Sequence, residues 1–189
     1  MHRFGPAASL LCSLTLLPSC GTTPQTVNAR EGRQAAAFGR PTVFALTEGE
    51  HRMVLGRRPL FIKIDSATVG SRTLMAGYEE IPPGDSVRVH HHLAEDELVF
   101  VHRGEVDVTL NNASKRATAG TTVFIPRGTW IGLRTVGRDT AGFFFAFNAP
   151  GFEKCLRLLA PAPGERFSPL VGDALRQATA SCHWELRSP

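Results

Sequence analysis

The sequence predicts an all-β fold, a barrel or sandwich of short antiparallel strands followed by a short helical tail. Three observations carry that expectation. Short apolar or alternating runs recur along the chain, each closed by turn residues, the spacing of strands in a sandwich or barrel. Eighteen glycines and thirteen prolines punctuate them. Between Glu105 and Leu110, Val106, Val108 and Leu110 alternate with Glu105, Asp107 and Thr109, as in an antiparallel strand with one face in water. The 189 residues suffice for one domain with a real core, and 42% hydrophobic with 20% charged residues is an ordinary globular balance.

The elements follow in order. Residues 1–20 read as a targeting signal. His2 and Arg3 precede an apolar stretch from Ala7 to Leu17, too short to span a bilayer. Residues 21–40 hold few large apolar side chains and read as a flexible tether. The folded domain is expected over residues 41–150. Its strands are Thr42 to Leu46, His51 to Leu55, Pro59 to Asp65, Thr73 to Ile81, Ser86 to His92, Glu97 to His102, Glu105 to Leu110, Lys115 to Ala119, Thr121 to Ile125, Trp130 to Val136 and Ala141 to Asn148. Pro82-Pro83-Gly84 and Asn111-Asn112 are tight turns. The tail, residues 151–189, holds a helix from Phe152 to Leu159, stopped by Pro161 and Pro163. A second helix runs from Asp173 to Cys182, capped by Gly172 or Asp173, and Trp184 to Leu186 is a last strand.

Chemistry concentrates between Gly84 and Gly104. His90, His91 and His92 are followed by Glu95, Asp96 and Glu97. Alternate side chains of a strand share a face, so His90 and His92 point together and His91 points away. Glu97 has the wrong parity to join them on one straight strand. It joins them if the chain turns at Leu93 to Asp96 and Glu97 opens a second, antiparallel strand of a hairpin. Two imidazoles and a carboxylate then converge, a ligand set that suits iron, manganese, zinc, nickel or copper. His102 lies on the Glu97 strand with opposite parity, and His51 and His183 are single. Phe143, Phe145 and Phe147 alternate on one face, as core or as the wall of a ligand pocket in a barrel. Arg127 and Arg134 are read as turn and edge positions. The net charge of +4 is spread out, with Arg57-Arg58 the densest basic spot, so no nucleic-acid partner is expected.

Gly84, His90-x-His92, Glu97 and Gly104 resemble the first motif of the cupin family, and Gly120 to Pro126 and Gly128 resemble the front of the second. The resemblance covers roughly residues 42–150. It implies a cupin-type double-stranded β-helix, a jelly-roll barrel. It also implies a divalent-metal site at His90, His92 and Glu97. The second motif of the family places a histidine where this chain has Ile131, and often an asparagine where it has Thr135. The fourth ligand is therefore missing. Two histidines and one carboxylate remain a set that keeps coordination positions open. Gly151-Phe152-Glu153, Pro82-Pro83-Gly84 and Glu95-Asp96-Glu97 are similar to single-domain bacterial cupins related to quercetin dioxygenases, and similar cupins often pair edge strands into homodimers.

Three functions stay open from the residues. One is a binding module for a small molecule, with a three-ligand metal site and Ile131 beside the pocket. A second is a mononuclear-metal, dioxygenase-type oxidoreductase. The third is a degenerate cupin without metal. Leu17-Pro18-Ser19-Cys20-Gly21 resembles the lipobox of bacterial lipoproteins. That resemblance implies a lipid anchor on Cys20 holding the protein at a membrane on the periplasmic face of the envelope; the alternative is a secreted, soluble protein. Cys155 and Cys182 remain as a pair. An exported protein would join them as a disulfide, and the alternative is two buried thiols.

Overall fold

The computed structural model describes residues 39–187. The signal, Cys20 and nearly all of the tether lie outside them. Eleven strands and two helices follow in chain order among the described residues. The strands are β1 (Glu50–Val54), β2 (Arg58–Ile64), β3 (Met75–Ile81), β4 (Ser86–His92), β5 (Glu97–Arg103), β6 (Glu105–Leu110), β7 (Ala113–Thr118), β8 (Thr122–Ile125), β9 (Ile131–Val136), β10 (Ala141–Phe147) and β11 (Trp184–Leu186). The helices, α1 (Glu153–Leu159) and α2 (Gly172–Ala180), lie between β10 and β11.

The strands form two antiparallel sheets, ordered β1-β2-β3-β10-β5-β8 and β11-β4-β9-β6-β7. Their inner faces supply the core, among them Leu60, Ile62, Met75, Ile81, Val99, Val101, Val106, Ile125, Ile131 and Leu133. Period-2 alternation explains the choice. In β5, Glu97, Val99 and Val101 are buried and Leu98, His102 and Arg103 are exposed. Met75 and Tyr78 face opposite sides of β3, yet both are fully buried. Phe144 and His102 pack over the Tyr78 ring from the outer side of the sheet.

Two local expectations change. Residues 42–46 form no strand. Their backbone is instead gathered by Lys63, whose Nζ donates to the carbonyls of Ala45 at 2.7 Å and Glu48 at 2.6 Å. The Ala45 carbonyl therefore has a side-chain partner in place of a neighbouring strand. At the tail, the N-cap of α2 is Val171, and no side chain caps it; Gly172 and Asp173 are inside the helix.

The larger change concerns β4 and β5. They are not a hairpin. β4 pairs with β9 and β11, and β5 pairs with β10 and β8. The chain crosses from one sheet to the other at residues 93–96, pinned at both ends of the crossing. The Leu93 N–H donates to the His183 carbonyl at 2.8 Å, and Asp96 exchanges hydrogen bonds with Asn148. The histidines and Glu97 thus face each other across the sandwich.

Candidate functional site

β4 presents His90 and His92 inward, and β5 presents Glu97 from the opposite sheet. All three are buried, and ligand atoms of the three lie within 4.8 Å of one another. His92 Nε2 is 3.7 Å from Glu97 Oε2. His90 Nδ1 lies 2.7 Å from the carbonyl oxygen of Arg88. That contact requires the proton on Nδ1 and leaves Nε2 as a free lone pair, the arrangement that orients a metal-binding imidazole. Phe147 and Phe152 hold the His92 ring edge-on, with centroids 4.7 and 4.4 Å away, and Trp184 tilts over His90 at 5.4 Å.

The electrostatics suit a cation. Burial pushes His90 down to about 4, against the Arg88 hydrogen bond. Burial, with His90 and His91 adding to it, pushes His92 down to about 2. Both imidazoles are therefore neutral, as ligands must be. Burial pushes Glu97 up to about 8, and the Glu79 carboxylate adds to the shift, so a cation bound here at neutral pH would displace the Glu97 proton. Both ring nitrogens of His92 and Oε2 of Glu97 have no hydrogen-bond partner. Orphaned buried polar atoms are rare and call for a reason, and one divalent ion shared by the three residues would engage one His92 nitrogen and the Glu97 carboxylate. The residues present fit such an ion.

The site opens into a cavity of about 500 Å³ lined by both sheets and the tail. Phe143, Phe145 and Phe147 form its floor on β10, and Ile131 lies directly opposite His90 in the β4–β9 register. Ile131 is 1% exposed and offers the site no donor. Thr135 is taken up elsewhere, its hydroxyl donating to the Ile81 carbonyl at 3.0 Å. Cys155 and Cys182 are disulfide-bonded, joining α1 to the segment before β11.

The remaining candidates stay outside. His91 stacks on Trp130 at 3.9 Å and contacts Glu185 at 2.9 Å. His51 stacks on Phe61, and His102 is exposed. Arg127 pairs with Asp96 and Arg134 with Asp107.

Two groups of site residues lie beyond what the sequence pattern points to. The tail builds one wall of the cavity through Phe152, Leu156, Leu159, Phe167 and Trp184. Arg58 and Glu79 also line it, with Arg58 Nη2 2.8 Å from Glu79 Oε1. The sequence does carry a signal for Glu79: it shares parity on its strand with Met75, Gly77 and Ile81. A charge on the apolar face of a strand marks a buried polar position.

Comparison with known proteins agrees with the geometry. Residues 77–147 match the family model described as the cupin domain. This stretch is similar to the cupin domain, and the two-sheet fold around it agrees. A tetracenomycin polyketide synthase protein of Streptomyces glaucescens is 26% identical to the chain over 103 residues, 54% of this chain and 67% of that protein. An RmlC-like cupin from Shewanella frigidimarina superposes with a TM-score of 0.50 at 19% identity, covering 59% of this chain and 94% of that one. A structure described as a predicted oxalate decarboxylase, from Thermotoga maritima, gives 0.52 at 19% identity, covering 58% and 100%. At these identities the structures share the cupin fold with this chain.

Proposed function

We propose that this cupin binds one divalent transition metal through His90, His92 and Glu97 and uses the adjoining cavity to hold a small, mainly apolar molecule. The observation that carries the reading is the trio of buried, inward-facing donors, two of which, His92 and Glu97, hold buried atoms with no partner in the protein. Iron, manganese, nickel, zinc and copper all accept two imidazoles and a carboxylate. When bound, the ion would supply a Lewis acid and a template that orients a ligand oxygen. The chain's own residues do the rest. His90 is fixed by Arg88, the three phenylalanines and the tail exclude water, and Ile131 presents an apolar surface where a fourth donor would sit. The Streptomyces relative belongs by name to a polyketide synthase, and an oxygen-bearing carbon skeleton is the kind of molecule this cavity accommodates.

A second reading is a dioxygenase-type oxidoreductase. Its support is the ligand set itself, since two histidines and one carboxylate leave positions for substrate and oxygen. Export to the cell envelope, with a lipid on Cys20, belongs to the same proposal. The Cys155–Cys182 disulfide supports it, because such bonds persist in oxidising compartments.

Elemental analysis of the purified protein tests the core of the proposal. Near-stoichiometric metal in the wild type and none in His90→Ala/His92→Ala is the expected result. Oxygen consumption by the loaded protein would then favour the oxidoreductase. Absence of metal after anaerobic reconstitution would overturn both readings.

A further inference from the structure

The cavity has a second polar pole, and it is not at the metal centre. Arg58 enters from β2 with its side chain 3% exposed, and Glu79 enters from β3 at 9%. The guanidinium is held on three sides. Nη1 donates to the Ser86 carbonyl at 2.7 Å and lies 3.5 Å from Asp85 Oδ1, and Nη2 faces Glu79 at 2.8 Å. Arg58 Nε is buried and has no hydrogen-bond partner. One guanidinium contact also leaves most acceptor sites of the Glu79 carboxylate unused. Burying such a pair costs more than burying apolar residues of the same size, so an incomplete pair beside a cavity asks for a ligand to complete it.

Strand register fixes where this pole stands. Glu79 lies opposite Phe143 on β10, whereas Glu97 lies opposite Phe147. Four residues of strand separate the two levels, about 13 Å along the strand direction. Phe143, Phe145 and Phe147 pave the cavity between them. The charges fix what the pole accepts. Arg58 already faces two carboxylates, Glu79 and Asp85, so an anionic ligand end meets no net positive charge. A hydroxyl suits it: its oxygen accepts from Arg58 Nε, and its O–H donates to Glu79.

We propose that Arg58 and Glu79 form a charge-neutral anchor that selects a neutral, largely aromatic ligand carrying a metal-binding oxygen at one end and a hydroxyl at the other. This rests on the reading of the cavity as a small-molecule site beside a metal. Arg58 and Glu79 determine specificity here and take no part in bond making.

Calorimetric titration of the zinc-loaded protein with three probes tests the assignment. The probes are 4,4′-dihydroxybiphenyl, 4-hydroxybiphenyl and 4′-hydroxybiphenyl-4-carboxylate. The diol should bind about tenfold more tightly than the mono-hydroxy probe, the size of one buried hydrogen bond, and the carboxylate, which can set its anion on the zinc and its hydroxyl on the anchor, should also bind more tightly than the mono-hydroxy probe. In Arg58→Met/Glu79→Leu, the mono-hydroxy affinity should be kept and the tenfold preference lost. Glu79→Gln, which preserves shape, should reduce the preference and serves if the double variant does not unfold cooperatively. Equal affinities of the diol and the mono-hydroxy probe in the wild type, or no binding of any probe, would overturn the anchor. Zinc binding measured in parallel separates the two claims. Equal probe affinities with zinc retained remove only the anchor, and diol preference without zinc binding removes only the metal.

Discussion

At Gly77 the absence of a side chain decides how the cavity floor lies. A methyl group there would sit 2.4 Å from Cζ of the Phe145 ring and 2.7 Å from the Phe61 carbonyl oxygen. The ring can swing but the neighbouring strand cannot. Gly77→Ala is expected to cost about 2–3 kcal/mol by overpacking, read as a lower midpoint in urea with an unchanged slope. Single residues also disclose part of the site by their order in the chain. Alternation along β4 and the cupin motif both put His90 and His92 on one face, and the motif brings Glu97 to them. Arg58 is hidden because it follows Arg57 in a basic pair, and only one of the two is buried; Arg57 reaches out to pair with Asp85 while Arg58 turns inward. Ile131 is legible as a missing donor, but that it lies opposite His90 depends on a bulge in β4–β9 pairing, which no local pattern records.

Among the elements, α1 is fastened to the six-stranded sheet by one arginine. Arg157 reaches both Glu50 on β1 and Asp65 just past β2. The Arg157 hydrogen bond, with help from Arg52 and against burial, holds Glu50 below the usual carboxylate range. Burial pushes Asp65 up, but the Thr68 backbone N–H and Arg157 more than offset it, and the net shift is downward. Groups whose folded pKa is lowered stabilise the fold above their unfolded values, near 4, and that stability is lost as pH falls through the folded ones. Thermal unfolding of the wild type should therefore move to lower temperature below about pH 4. Arg157→Ala should cost about 2–3 kcal/mol at pH 7 and flatten this acid dependence. The disulfide fastens the other end of the tail. It closes a 27-residue separation, worth about 3.5 kcal/mol in the chain-entropy account. Cys155→Ser/Cys182→Ser should lower the melting temperature by roughly 10 °C for a domain of this size. Strand positions are legible at this scale because alternation and turn residues mark them. Sheet membership is not. Alternation tells which side chains share a face, and it is silent on whether β5 lies beside β4 or across from it.

Over the whole molecule, the tail is part of the barrel. α1, α2 and the segment between them close the cavity, and β11 extends the sheet that carries the histidines. Its helices are readable from spacing, but their destination depends on which barrel surface is left uncovered. A chain ending at Pro150 would leave the cavity wall and the edge of β4 open. It should bind a hydrophobic dye strongly and lose cooperative unfolding, both measured beside the intact protein. The pairing of β11 with β4 also sets a schedule. Trp184 aligns with His92 and Leu186 with His90, across about ninety residues of intervening chain. Synthesis at about 5–20 residues per second leaves the two histidines on an incompletely paired strand for roughly five to twenty seconds. During that interval they are a bare chelator, open to any cation in the compartment where the ribosome works. The cation finally enclosed is thus set by where the chain finishes folding as much as by the three donors that hold it.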